Sequence, residues 1–229
     1  MRRSITVAVL IYLLIPQFHA AWAWNDETHV AIAKAAGYKK WFNAAGADMI
    51  KVKAGPIEKA NHFANNPRGT VVTAQMVLGQ VAAYNRSGDP HGHGRLYGAI
   101  IAAIRDYLKE KKRGKYGEYH LAFAAHYIGD LSQPLHNILY DDYNRKHHAA
   151  TDAIVNAEVL DHLDRIKIHE IHIRSEADLA REIARIANRA MTLGYWLEAE
   201  NRMLTRREAY TQLSQSASLF KAVLRYVGQ

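Results

Sequence analysis

The chain has 229 residues, 49% of them hydrophobic, and a formal net charge of +8 at pH 7. That length leaves room for one domain with a sizeable core. It contains no cysteine, which excludes thiolate metal sites and cysteine nucleophiles, so any metal must be held by His, Asp, Glu or backbone groups.

Residues 1–23 have the form of a secretory leader. Arg2 and Arg3 supply a basic start, Ile5 to Ile15 an apolar stretch too short to span a membrane comfortably, and Ala21-Trp22-Ala23 a small-x-small cleavage site. Cleavage there leaves Trp24 as the first residue of a secreted or periplasmic protein, with residues 24–229 as its one domain. The rest reads as helices joined by short loops, with no sustained apolar/polar alternation to suggest a sheet. Helices are predicted over 30–39, 45–60, 71–85, 96–112 and 116–130, with Gly55-Pro56 breaking or kinking the second. A tyrosine-rich loop is expected over 137–147 and a further helix over 152–166. Two long helices close the chain. One starts at Ser175 with Asp178 three residues on, the other at Thr205 with Glu208, both spaced as capping boxes. The class is all-α, a single multi-helix domain.

The chemistry concentrates in His126-Tyr-Ile-Gly-Asp130-Leu-Ser-Gln-Pro134-Leu-His136. His126 and Asp130 stand four apart and share a helix face. Pro134 interrupts that helix and lets His136 approach from another direction. His148 and Asp152 repeat the four-residue spacing, which selects His148 over His147 as the partner of Asp152. Imidazole nitrogen and carboxylate oxygen are ligands that zinc accepts.

With these motifs, Trp24-Asn-Asp-Glu-Thr-His29 at the expected mature start resembles the zinc-dependent phospholipase C and single-strand nuclease superfamily. The resemblance covers about residues 24–160. It implies three zinc ions in a cleft between helices: one on Asp48, His62, His126 and Asp130, a second on His136, His148 and Asp152, and a third on the amino group and carbonyl of Trp24, His29 and a shared oxygen of Asp130. An α-amino group titrates near 7.7–8.0, so a metal can displace its proton at neutral pH. The implied reaction is phosphodiester hydrolysis. Water on zinc, with a pKa of about 7, supplies hydroxide, Asp48 orients or deprotonates it, and the metals stabilise charge on the phosphoryl oxygens.

Two substrates fit the resemblance. The wording of the central motif and the short spacings are similar to the bacterial phospholipases C, and Glu27 stands near a headgroup-binding position, although Met49 and Lys59 replace expected aromatic residues. The five-residue step from Trp24 to His29 is similar to the nucleases, in which Lys51 and Asn65 would stand at phosphate- and base-contacting positions. Phospholipid is the expected substrate and single-stranded nucleic acid the alternative. A non-catalytic zinc-binding module is the third reading, opposed by the open coordination that catalysis needs. The run Lys109, Lys111, Lys112, Arg113, Lys115 offers peripheral contact with an anionic membrane or nucleic acid, or is a solvated helix end. Tyr140 and Tyr143, with Asp141 and Asp142, are candidates to line the cleft. His91, His93, His147, His162, His169 and His172 are left outside the ligand set, and no obligate protein partner is implied.

Overall fold

The computed structural model describes residues 24–88 and 92–229, so the expected leader (1–23) and His91 lie outside the described residues. Among the described residues there are nine α-helices: α1 (Asp26–Ala35), α2 (Gly46–Ala54), α3 (Pro56–Lys59), α4 (Ala74–Gln80), α5 (Leu96–Lys112), α6 (Glu118–Leu131), α7 (Asp142–Asp152), α8 (Glu176–Ala199) and α9 (Arg206–Tyr226). Short 3-10 turns lie at Trp41–Ala45, Val81–Ala83, Pro134–His136 and Leu163–Arg165. No strand forms among these residues; one isolated bridge pairs Ala64 with Gly94. The fold is all-α and a single domain. No helix of the described residues is long and apolar enough to cross a membrane.

Local chemistry sets most boundaries. Gly55, at φ 60°, separates α2 from α3, and Pro56 opens the new helix where its missing N–H has no partner to lose. Thr73 caps α4, which therefore starts later than the predicted residue 71. α1 starts earlier than predicted, with Asp26 and Glu27 in its first turn, where carboxylates suit the helix dipole. Ser175 accepts the Asp178 N–H at the start of α8, and Thr205 with Glu208 forms a complete capping box on α9.

One stretch departs from the predicted order. Part of the expected loop 137–147 is helical: the Asp141 side chain accepts the Asn144 N–H and starts α7. The helix expected over 152–166 is instead a string of turns after Asp152, ending in the 163–165 turn. α7 is polar and hides from an apolar-periodicity reading because its buried residues are Asn144, His148, Thr151 and Asp152.

The main core packs α5, α6, α8 and α9 around Ile100, Tyr127, Ile128, Leu131 and Phe220. A second cluster gathers Trp24, Ile32, Val155, Val159, Leu197 and Leu213. Gly129 is where α1 meets α6: a Cβ there would lie 2.4 Å from His29 Nδ1. Only a residue without a side chain lets the His29 ring reach the central helix.

Candidate metal centre

The imidazole and carboxylate residues expected as metal ligands fall into closely spaced, largely buried groups. Three groups could each hold a metal ion: His29, Asp48 and His126; His62, His126 and Asp130; and, sharing no residue with these, His136, His148 and Asp152. Within each group the ligand atoms lie within 4.8 Å of one another. α6 supplies His126 and Asp130, α7 His148 and Asp152, α1 His29, α2 Asp48, and the turn after α6 His136. His62 follows α3.

Asp130 is the hinge of the arrangement. Its Oδ2 lies 2.9 Å from His62 Nδ1 and 3.5 Å from His126 Nε2. Its Oδ1 lies 3.4 Å from His29 Nε2 and 3.5 Å from His136 Nδ1. Asp48 Oδ1 stands 3.6 Å from His126 Nε2 and 3.8 Å from His62 Nδ1. The His29 and His126 rings stack with centroids 3.6 Å apart. The first two groups therefore share His126, and Asp48 reaches both.

The proton positions follow from what each ring's other nitrogen touches. His126 Nδ1 lies 2.8 Å from the Ala44 carbonyl, and His136 Nδ1 2.7 Å from the His62 carbonyl. His148 Nδ1 lies 2.6 Å from Asn144 Oδ1, and the Asn144 amide is oriented by donating to the Leu135 and Leu139 carbonyls. Each of these oxygens can only accept, so each Nδ1 carries the hydrogen and each Nε2 presents a lone pair. His136 Nε2 and His148 Nε2 then face each other at 3.2 Å with no hydrogen between them. His62 is turned the other way: Nδ1 faces the cluster, and Nε2 lies 3.4 Å from Glu58, which also accepts from Tyr127 and Asn61.

Burial pushes the His136 imidazole down to about 4 and the His148 imidazole down to about 3, so both rings are neutral near pH 7. Burial also depresses His126 well below its usual value. Burial opposes charge on His62 too, but hydrogen bonds to Asp130 and Glu58 outweigh it and raise that ring. Burial would raise Asp130, yet the surrounding histidines hold it well below the usual carboxylate range. Asp152 has fewer such partners: burial pushes its carboxyl well up, against the hydrogen bond from Gln133.

These residues fit a metal on their own evidence. His29 is fully buried and neither of its ring nitrogens has a hydrogen-bond partner. Asp130 Oδ1 and Asp152 Oδ2 are likewise buried and accept no hydrogen bond. Buried polar atoms left bare are rare because each costs about 1–3 kcal/mol. Converging lone pairs and bare carboxylate oxygens are what a cation would satisfy.

The other sequence candidates meet a range of partners. Trp24 is fully buried in the second core cluster, and the Asn25 N–H, beside it, donates to the Asp152 carbonyl at 3.4 Å. The chain's expected mature start thus lies against α7. Lys51 is buried and forms an ion pair with Asp48. Glu27 is exposed and accepts from Asn156, and Asn65 donates to the Gly92 carbonyl. Tyr140 is half exposed with its ring edge-on to His148, whereas Tyr143 donates to the Arg202 carbonyl. Asp141 caps α7 and Asp142 pairs with Arg145. In the basic run, Lys111 donates to the carbonyls of Val227 and Gly228 at the end of α9, and Arg113 pairs with Glu110.

Glu58, Asn144 and Gln133 were not singled out from sequence, although they orient His62, His148 and Asp152. Glu58 to His62 and Asn144 to His148 are both four-residue steps, the same spacing that marked the ligands, and could have been found by it. Asp26 was also missed. Partial burial and the Asp48 charge raise its carboxyl. The chain matches no protein-family model and no curated protein sequence.

Proposed function

We propose that the chain is an exported zinc-dependent phosphodiesterase of the phospholipase C type, related to the phospholipase C and single-strand nuclease superfamily. The observation that carries this is the facing pair of His136 and His148 lone pairs beside the bare oxygens of Asp130 and Asp152. Such a set holds cations, and its repeated grouping supports more than one ion, three on the family pattern with Trp24 completing the third.

Zinc bound there would supply Lewis acidity toward a phosphoryl oxygen and make water acidic enough to attack at neutral pH. The side chains do the positioning. Asp48 is 16% exposed whereas Asp130 is fully enclosed, so Asp48 is the carboxylate placed to accept a proton from an incoming water. Asp130, held ionised, places negative charge between the groups. Carbonyl and amide acceptors lock the rings of His126, His136 and His148, while Glu58 locks His62, so little reorganisation remains when substrate arrives. Water adds to phosphorus, the P–O bond to the diacylglycerol breaks, and the departing oxygen takes up a proton. Tyr140, half exposed with its ring against His148, gives the centre an aromatic edge suited to a lipid.

A second reading, single-strand nuclease, is favoured by Lys51. It is a buried cation in contact with Asp48, at the position where the resemblance to the nucleases implies a phosphate-contacting residue. The test is to assay the zinc-loaded protein side by side on phospholipid vesicles and on single-stranded DNA and RNA, with a chelated control. Release of phosphorylated headgroup with nucleic acid left intact supports the phospholipase. Cleaved strands with intact lipid replace it with the nuclease, and no turnover despite bound zinc defeats both.

A further inference from the structure

The segment from Lys39 to Ala60, which carries Asp48, combines exposed apolar side chains with exposed lysines. Phe42 is 60% exposed, Met49 71%, Ile50 43% and Ile57 37%. They sit on three consecutive elements, the 41–45 turn, α2 and α3. On α2 the periodicity sorts the residues: Ala47 and Lys51 are buried, while Met49, Ile50 and Lys53 share the opposite face. No residue of the described chain covers that outer face, since each of these side chains remains exposed.

The charges there are of one sign. Lys39, Lys53 and Lys59 are exposed. The two acids between residues 39 and 60 are both turned inward: Asp48 to the centre and Lys51, Glu58 to His62, Tyr127 and Asn61. Solvent therefore meets apolar and cationic groups together, with no exposed carboxylate within the segment. Such a surface complements an anionic bilayer, which accepts apolar side chains below its headgroups and attracts lysine at its surface. A soluble polyanion would use the lysines and leave four large apolar groups in water. The basic run at 109–115 is a poorer candidate, being interrupted by Glu110 and tied by Lys111 to the end of α9.

We infer that Phe42, Ile50, Ile57 and Lys53 form a docking face for an anionic phospholipid bilayer, presenting the Asp48 side of the centre to the membrane. This deepens the phospholipase reading and rests on it for its purpose, but binding is measurable without turnover.

The experiment is co-sedimentation of the purified, chelator-treated protein with phosphatidylcholine vesicles, with and without phosphatidylserine. The wild type is expected to bind the serine-containing vesicles more tightly and to be released by salt. The double variant Phe42→Ser/Ile50→Ser should lower partitioning about tenfold. Lys39→Glu/Lys53→Glu should lose at least about fivefold per lysine and abolish the preference for anionic lipid. Hydrolysis of a soluble chromogenic phosphodiester by the zinc-loaded variants, expected at the wild-type rate, verifies that each has folded with its centre intact. Wild-type protein that ignores both vesicles, or folded variants that bind like wild type, would overturn the docking face. Vesicle binding with no lipid cleavage by the zinc-loaded protein would leave the face standing and remove the phospholipase reading. Cleavage of a dispersed short-chain phospholipid by protein that does not bind vesicles would do the reverse.

Discussion

α6 and α7 carry the same motif, His followed four residues later by Asp, in opposite surroundings. On α6 the pair sits in an apolar helix, and Asp130 is ringed by imidazoles from His29, His62, His126 and His136. Its carboxylate is held well below the usual range. On α7 the helix is polar, and Asp152 meets one imidazole, 3.5 Å away, and the Gln133 amide. Its carboxyl is pushed well up by burial. Spacing alone sets which atoms can converge. The neighbours decide which form is favoured: imidazoles favour the Asp130 anion before any metal arrives, whereas burial disfavours the Asp152 anion until a cation balances it.

That contrast can be broken most sharply at the carboxylates. Asp130→Asn should empty both the His29/Asp48/His126 and the His62/His126/Asp130 groups, with activity falling by about a thousandfold or more. Asp152→Asn should remove metal from its own group alone. Metal counted per chain by native mass spectrometry distinguishes them, and equal losses in the two variants would erase the distinction.

The next effects come from residues that touch ligands. Glu58→Ala and Asn144→Ala each remove an acceptor beside one imidazole, and metal affinity should fall about 10–100-fold in each. Titration against a chelator of known affinity checks this. Gly129→Ala tests the α1–α6 contact. The new methyl must displace His29, so stability should drop by about 1–3 kcal/mol and the group containing His29 should weaken, while the α7 group keeps its affinity.

The smallest effects lie far from the centre. Thr205→Ala should cost about 1 kcal/mol of stability and leave metal content unchanged. Glu208 is held down at about 2, chiefly by its hydrogen bonds with Arg202. Its contribution is therefore complete above pH 4.5 and lost as pH falls through about 2. Denaturation of Glu208→Gln across that window should lack this component.

Much of the centre was legible because two ligand pairs and Pro134 are close in sequence and spacing on a helix fixes direction. The break at Gly55-Pro56 was legible for a similar reason: φ and the missing N–H are properties of those residue types. α7 was not. Its inward face is Asn144, His148, Thr151 and Asp152, so an expectation built on apolar periodicity placed the helix one element too late. Gln133 was hidden because a single polar residue carries no mark of burial. The exposed lysines and apolar groups around α2 were hidden because exposure depends on what packs against the helix.

The most direct test of a buried metal centre is anomalous diffraction at the zinc absorption edge from zinc-loaded crystals. Strong peaks are predicted between His136 Nε2 and His148 Nε2 and beside Asp130, within coordination distance of the imidazoles. A fully loaded crystal with peaks only at surface residues, and the two Nε2 atoms still facing each other without an ion, would contradict it.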